Sequence, residues 1–183
     1  MSYQTVTEIV RHKNSSKIES TFSTVPNRKQ DVPVCGSPFL KGKARRRGTF
    51  VHEALAEALE GRWVDRGVWP YCKAAKGWLH DQGVSGVLTE VPLGTPALHG
   101  TCDALASGGP CKQGLVEWKT CSELPDTVLP EAVFQLGLYA SLTGIPDQTW
   151  GAVGYICISE NKIRVFSWTS LGACAIAARE LIA

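Results

Sequence analysis

Three residues in the middle of the chain have the types and spacing to hold a divalent metal ion against a phosphate. Asp103 lies in one strand-like run, and Glu117 and Lys119 stand two apart in the next. Side chains two apart in a strand share a face, and a hairpin would bring Asp103 to that face. Two carboxylates suit Mg²⁺, while the ammonium beside them can orient a water molecule or stabilise charge on a phosphate. For Glu-x-Lys alone, the alternative is an exposed strand edge with ordinary salt bridges.

The hydrophobic pattern predicts the elements that must position these residues. Apolar side chains recur at helical spacing after Gly48, and two turn signals, at 94–96 and 107–110, separate three strand-like runs that should form an antiparallel meander. The predicted helices cover residues 48–61, 70–82, 129–142 and 171–182, and the predicted strands cover residues 86–93, 97–106, 114–120, 150–158 and 162–168. This order indicates an α/β fold, in which the meander and two further strands form a central mixed sheet flanked by helices.

Length and composition indicate one globular domain. The 183 residues are 44% hydrophobic and 20% charged, and no apolar run is long enough to cross a bilayer. The amino-terminal residues lack the apolar stretch of a secretory signal, so we expect an intracellular, cytoplasmic protein without a membrane partner, in the host cytoplasm if the source is viral. The seven cysteines are widely spaced and include no Cys-x-x-Cys pair, which favours reduced thiols over disulfides or a zinc site.

Charge is unevenly distributed along the chain. Residues 1–47 hold ten Lys and Arg against three acidic residues, a net charge of +7, whereas residues 48–183 hold nine against fourteen, a net charge of −5. We therefore predict a basic N-terminal arm, 1–47, and a folded domain, 48–183. The end of the arm is dense enough in positive charge to suit a nucleic-acid backbone, although a solvated basic linker fits the sequence equally well. The basic residues there are Lys41, Lys43, Arg45, Arg46 and Arg47.

Four short motifs occur in a fixed order between residues 47 and 166. They are Gly48-Thr-Phe-Val-His52, Gly100-Thr-Cys-Asp103, Glu117-Trp-Lys-Thr120 and Gln135-Leu-Gly-Leu-Tyr139. Each motif is weak alone, but the ordered set resembles the PD-(D/E)XK nuclease superfamily in its RecB-like exonuclease branch. The chain resembles in particular compact stand-alone exonucleases, such as the mitochondrial genome maintenance type and small viral or CRISPR-associated relatives. The resemblance implies a restriction-endonuclease-like fold, with the nuclease domain at 48–183.

The resemblance also implies a ligand set for the metal. His52 and the backbone carbonyl of Trp118 would join Asp103 and Glu117 around one or two ions. An imidazole ligand suits Mn²⁺ at least as well as Mg²⁺, so either ion is expected. A lone helical histidine is more often structural, so the assignment of His52 depends on the other motifs.

Five further side chains receive roles near the metal. By the resemblance, Lys119 is the catalytic amine, and Gln135 and Tyr139, four apart on one helical face, hold a phosphate or orient Lys119. Without the other motifs, Gln135 and Tyr139 would be read as a helix packing face with polar tips. Glu90 is a weaker candidate for supporting the site, and Thr120 is assigned only a positioning role.

The cysteine pattern departs from part of the family. Several RecB-like nucleases hold an iron–sulfur cluster through one early cysteine and a close late trio. Cys35 could serve as the early ligand, but only Cys157 and Cys174 follow the helix that contains Gln135, and they are far apart. We therefore expect no iron–sulfur cluster.

Together these features predict a metal-dependent deoxyribonuclease that degrades single-stranded DNA from free ends. The alternatives are a structure-specific endonuclease on the same fold and a catalytically silent nucleic-acid-binding module, against which the retained acids and lysine argue. No helicase motor is present in the sequence, so any unwinding would come from a helicase, polymerase or recombination partner in DNA repair or recombination. Trp63 and Trp69 are candidates for stacking on unpaired bases, although tryptophans are more often core or interface residues.

Overall fold

The computed structural model describes residues 4–13, 15–23, 25–36 and 44–183, and for residues 44–47 it describes the backbone only. The helices are α1 (Val6–His12), α2 (Ser15–Phe22), α3 (Ala44–Leu59), α4 (Trp69–Asp81), α5 (Pro130–Leu142) and α6 (Gly172–Ile182). The strands are β1 (Gln4–Thr5), β2 (Arg28–Pro33), β3 (Val84–Gly94), β4 (Leu98–Gly108), β5 (Gln113–Cys121), β6 (Thr149–Cys157) and β7 (Lys162–Trp168). Each helix and strand predicted from the sequence is present, with ends that differ by a few residues.

The strands form one mixed sheet of seven strands. Its order is β1-β4-β5-β6-β7-β2, and β3 pairs with β4. Strands β3, β4 and β5 are antiparallel neighbours, as the turn signals predicted, and β6 and β7 form a second antiparallel pair. Between these two units β5 and β6 run parallel, because α5 connects them and returns the chain to the same end of the sheet.

Helices cover both faces of this sheet. One buried cluster contains apolar residues of α1, α2, α5 and α6, and the other contains those of α3 and α4. In the second cluster Trp78 packs edge-on against Trp118 and Trp150, which project from β5 and β6. The predicted α/β class, a central mixed sheet flanked by helices, is therefore confirmed.

The described part of residues 1–47 belongs to the same sheet and core. Strand β1 pairs with β4, and β2 pairs along its whole length with β7, where Arg164 forms a bidentate ion pair with Asp31. Helices α1 and α2 each bury two apolar side chains against α5 and its neighbours. The predicted boundary at residue 47 falls inside α3, so the structure shows no separation between the described arm and the domain that follows.

No helix in the described part of the chain combines the length and apolar character needed to span a membrane.

Candidate active site

The candidate site lies in a fork between β4 and β5. Backbone pairing of these strands runs from Ser107 and Gln113 to Ala104 and Val116 and goes no further. Beyond that point side chains replace the ladder: the Trp118 amide donates to Asp103 Oδ2 at 2.7 Å, and the Asp103 amide donates to Glu117 Oε1 at 3.3 Å. The two predicted carboxylates therefore lie side by side where the sheet opens.

Glu117 is the buried member of the pair, with 2% of its surface exposed. Its Oε2 accepts from Lys119 Nζ at 3.1 Å and from Gln135 Nε2 at 3.0 Å, and Lys119 also donates to Gln135 Oε1 at 2.9 Å. Burial, and then repulsion from Asp103, raises the pKa of Glu117 to about 7, against the opposing effect of Lys119. One ammonium thus compensates the negative charge in the fork only in part, and an added cation would stabilise it.

Helix α5 spans the fork through two residues one turn apart. Gln135 is hydrogen-bonded to Glu117 and Lys119 of β5, while the Tyr139 hydroxyl donates a hydrogen bond to the Thr101 carbonyl of β4 at 2.7 Å. The amide of Gln135 also lies 3.4 Å from the Tyr139 hydroxyl. Burial raises the pKa of Tyr139 well above its usual value, so the phenol stays protonated and keeps donating. The pair therefore fixes the relative position of the two strands that carry the acids.

Two glycines set how closely the helices approach the fork. A Cβ at Gly100 would lie 2.8 Å from the Tyr139 ring, and a Cβ at Gly48 would lie 2.8 Å from Thr120 Oγ1. Real Cβ contacts are longer than this, so a side chain at either position would push its element away. The glycines of two motifs are thus spacers, one between β4 and α5 and one between α3 and β5.

His52 reaches the site from α3. Its Nδ1 lies 3.5 Å from Asp103 Oδ2, and hydrogen bonding to Asp103 raises the pKa of His52, against the effect of burial. The imidazole therefore faces Asp103. The structure thus brings His52, Asp103, Glu117, Lys119, Gln135 and Tyr139 together in one connected group.

Glu90 lies opposite Asp103 across the β3–β4 pair, between the paired positions Thr89 with Ala104 and Val91 with Cys102. Its φ of 51° is unusual for a residue with a side chain and carries local strain. Partial burial, and then the nearby Asp103 carboxylate, raises the pKa of Glu90. These observations place Glu90 beside Asp103, as the sequence suggested, but on β3, which pairs with the edge of β4 opposite the fork.

An open cavity of about 810 Å³ lies between α3 and the β3–β4 edge. His52, Asp103 and Glu90 line it together with residues that sequence reasoning missed, of which Glu53, Glu57, Glu60 and Arg62 are charged. The Arg62 guanidinium donates hydrogen bonds to Glu57 and Glu60, and Glu60 also accepts one from the Thr89 hydroxyl of β3. The missed residues follow His52 on one helical face, so extending the helical stripe from the histidine would have found most of them.

A second cavity of about 340 Å³ lies beside Lys119. Its lining combines Lys119 and Gln135 with apolar side chains, among them Leu129 and Tyr155. Thr120 lines this cavity and the larger one. The larger cavity thus reaches His52 and Asp103, and the smaller one reaches Lys119 and Gln135.

The donor set at the fork can be compared with what a divalent metal requires. Within the described residues no group of three or more His, Cys, Asp or Glu side chains is arranged as a ready metal cage. Mg²⁺, however, takes one or two protein carboxylates and keeps several waters. Asp103 and Glu117 are adjacent, and Glu117 is an incompletely compensated buried acid. The residues therefore fit a hydrated Mg²⁺ or Mn²⁺ bound by these carboxylates. Ligation by His52 and by the Trp118 carbonyl stays a prediction.

The side chain of Trp118 points away from the fork. It is buried in the cluster of α3 and α4, where it packs against Gly154 of β6 and edge-on against Trp78. Backbone atoms of Trp118 face the two acids, since its backbone N–H donates a hydrogen bond to Asp103.

The basic run is only partly described. Lys41 and Lys43 lie outside the described residues, and Arg45, Arg46 and Arg47 occupy the first turn of α3, where the backbone alone is described. This turn leads directly into Gly48, which meets Thr120 at the site. A nucleic-acid role for the five residues stays a prediction.

The seven cysteines are free thiols in the structure. Cys35 is exposed, whereas Cys157 at the end of β6 and Cys174 in α6 are buried. Burial raises the pKa of Cys174 to about 11, so this thiol stays protonated near neutral pH.

Comparisons with known proteins establish the fold and no further property. No protein-family model matches the chain, and no curated protein matches it. Among solved structures, the crystal structure of SSO0001 matches all of this chain and 76% of its own chain, with a TM-score of 0.51 and 16% sequence identity. At that identity the likeness shows a shared fold alone, so membership of the PD-(D/E)XK superfamily is proposed below on the site.

Proposed function

We propose that this protein is a PD-(D/E)XK nuclease that hydrolyses DNA phosphodiester bonds with Mg²⁺ or Mn²⁺. The observation that supports the proposal best is the fork, where Asp103 and the buried Glu117 lie side by side with Lys119. Two adjacent carboxylates with one ammonium are a costly way to stabilise a sheet, because desolvated charge needs a partner. The same group is well suited to hold a cation beside a phosphate.

The side chains divide the work of hydrolysis. A bound divalent cation would acidify the attacking water and neutralise charge on the phosphate. Asp103 and Glu117 would supply the carboxylates that hold it, and Lys119 would supply a positive charge beside the reacting phosphate. Gln135 fixes the Lys119 ammonium through its Oε1, so the amine does not have to be ordered when substrate arrives.

The proposed substrate is single-stranded DNA attacked from a free end. The basic run leads into α3 beside the site, which suits a phosphate backbone. The larger cavity leaves room for a strand beside His52 and Asp103, and the smaller one leaves room beside Lys119. This openness also suits an endonuclease on the same fold, which is the second candidate. Free thiols suit a reducing compartment, and we propose the cytoplasm and a helicase, polymerase or recombination partner.

Labelled DNA of one sequence, prepared as a linear single strand and as a covalent circle, tests the proposal. We expect the linear strand to be shortened progressively with Mg²⁺ or Mn²⁺, the circle to resist, and EDTA to stop the reaction. Nicking of the circle at the rate of the linear strand would favour the endonuclease. No metal-dependent cleavage of either form would contradict the nuclease assignment.

A further inference from the structure

Trp63 has the most exposed large apolar side chain in the described residues, with 81% of its surface accessible. It follows Arg62, which lines the larger cavity together with His52 and Asp103. The indole contributes almost nothing to the core, so folding alone does not account for a tryptophan here. Its position next in sequence to a cavity-lining residue points to a ligand that extends out of the site.

The loop that carries Trp63 is held in place. Val64 and Val68 are buried in the cluster of α3 and α4, and the Arg62 amide donates to the Glu57 carbonyl at 2.8 Å. The Arg62 side chain bonds Glu57 and Glu60, and this ties the loop to α3. The indole is therefore presented on a fixed support, which lowers the entropy lost when a ligand packs on it.

Charged residues neighbour Trp63 in the sequence of its loop. Arg62, Asp65 and Arg66 are exposed in the same loop, and Trp69, the first residue of α4, is about half as exposed as Trp63, at 43%. An apolar protein surface would leave these charges desolvated. An unpaired nucleobase, with its flat apolar face, polar edges and charged backbone, fits this setting.

Helix α3 separates this loop from the basic run along the chain. Its sixteen residues span about 24 Å, with Arg45–Arg47 in the first turn, His52 in the middle and the Trp63 loop beyond the last turn. We propose that Trp63 stacks on an unpaired base of the DNA strand, on the side of the metal site away from the basic run. This inference rests on the proposed function, since it assumes that a DNA strand occupies the cavity.

The test measures binding without cleavage. In the Glu117→Gln background with EDTA, the anisotropy of a fluorescein-labelled oligodeoxythymidine gives the affinity of each variant. Adding Trp63→Ala should weaken binding about 5- to 150-fold, the range expected for the loss of one stacked base. Trp63→Phe should restore most of the affinity. The control Ile176→Ala removes another exposed apolar side chain, from α6 on the opposite face of the sheet, and should change nothing.

Abasic substitutions identify the stacked base. A series of oligonucleotides, each lacking one base, should include one position at which the loss of the base weakens binding to the protein with Trp63. The same oligonucleotide should bind the Trp63→Ala variant no more weakly than the intact one does. Removing the base and removing the indole each abolish the same stacking interaction, so the two effects should not add. Blunt duplex, whose bases are hidden, should bind equally to the proteins with and without the Trp63→Ala substitution. The inference would be overturned if Trp63→Ala left the single-strand affinity unchanged or weakened duplex binding as much as single-strand binding. It would also be overturned if the effects of Trp63→Ala and of base removal were additive at every abasic position. The proposed function fails separately, if DNA binds but the wild-type protein never cleaves it.

Discussion

The Trp118 amide donates to Asp103 Oδ2 at 2.7 Å, in place of a backbone bond between β5 and β4. Asp103 therefore has two tasks: it is a candidate metal ligand, and it accepts a hydrogen bond from an amide where the strands separate. A substitution can remove the first task and keep the second. The two tasks can therefore be separated by experiment.

Asp103→Asn and Asp103→Ala should both abolish cleavage, but they should differ in stability. Asparagine retains an oxygen for the Trp118 amide, whereas alanine leaves that donor without its partner, at a cost of about 1–3 kcal/mol. Urea unfolding in EDTA measures the difference. Equal free energies of unfolding for the two variants would show that the bond to Trp118 does not support the fork.

The stability of the metal-free protein should depend on the protonation of Glu117. The folded-state pKa of about 7 lies above the ordinary value of 4.5, so the folded state favours the protonated acid. The stabilising contribution is complete below about pH 4.5 and is lost as the pH rises through 7. Glu117→Gln should remove this loss and make the protein more stable at pH 8 in EDTA, by an amount on the order of 1–3 kcal/mol.

The measurement is the free energy of unfolding of both proteins from pH 4 to pH 8. The two curves should converge below about pH 4.5, because Glu117 is then mostly neutral in the folded and the unfolded protein, as glutamine always is. Parallel curves across this range would show that Glu117 does not titrate with a raised pKa.

Gly48→Ala should disturb the site through Thr120. The added Cβ would lie 2.8 Å from Thr120 Oγ1, so α3 must shift or the threonine must rotate, at a cost of about 1–3 kcal/mol. Thr120→Ala in the same protein removes the clashing atom and should recover most of the lost stability. Gly77→Ala in α4 is the matched control, because nothing lies within 4 Å of its added Cβ, and alanine there should be neutral or stabilising. Thermal unfolding gives the stability of the wild type, Gly48→Ala, Gly48→Ala with Thr120→Ala, and Gly77→Ala. A melting temperature of Gly48→Ala that changed no more than that of Gly77→Ala would contradict the spacer role.

The basic run should contribute affinity rather than catalysis. Replacing it with neutral residues should weaken DNA binding and lower the slope of log affinity against log salt by about 0.7 for each phosphate of a single strand that is no longer neutralised. The residues to replace are Lys41, Lys43, Arg45, Arg46 and Arg47. Turnover at saturating DNA should barely change. A salt slope equal to that of the wild type would show that the run does not bind the strand.

Periodicity predicted the central sheet because its elements are long. Each strand from β3 to β7 holds at least seven residues, and turn signals or the long helix α5 separate the strands, so type and order followed from the pattern. Elements β1, α1, α2 and β2 were not predicted individually because each is short and buries at most two apolar side chains. Their stability comes from pairing with β4 and β7 and from packing on α5, which are interactions between residues distant in sequence.

Strand parity accounts for the part of the candidate site that was predictable. The two-residue spacing placed Glu117 and Lys119 on one face, and the structure joins them through a hydrogen bond. The early end of the β4–β5 ladder was not predictable, because it depends on side chains that replace backbone partners. The unusual backbone of Glu90 was equally hidden, since nothing in its local sequence demands a positive φ.

The central claim is that Asp103 and Glu117 hold a metal ion that cleaves DNA, and titration with Mn²⁺ tests it most directly. Calorimetry should detect Mn²⁺ binding to the wild-type protein, and the same titration should start cleavage of labelled single-stranded DNA. In Glu117→Gln, which keeps the shape of the side chain, binding should weaken by about tenfold or more and cleavage should be lost. Wild-type rates of cleavage in Glu117→Gln, or Mn²⁺ binding unchanged by the substitution, would contradict the account.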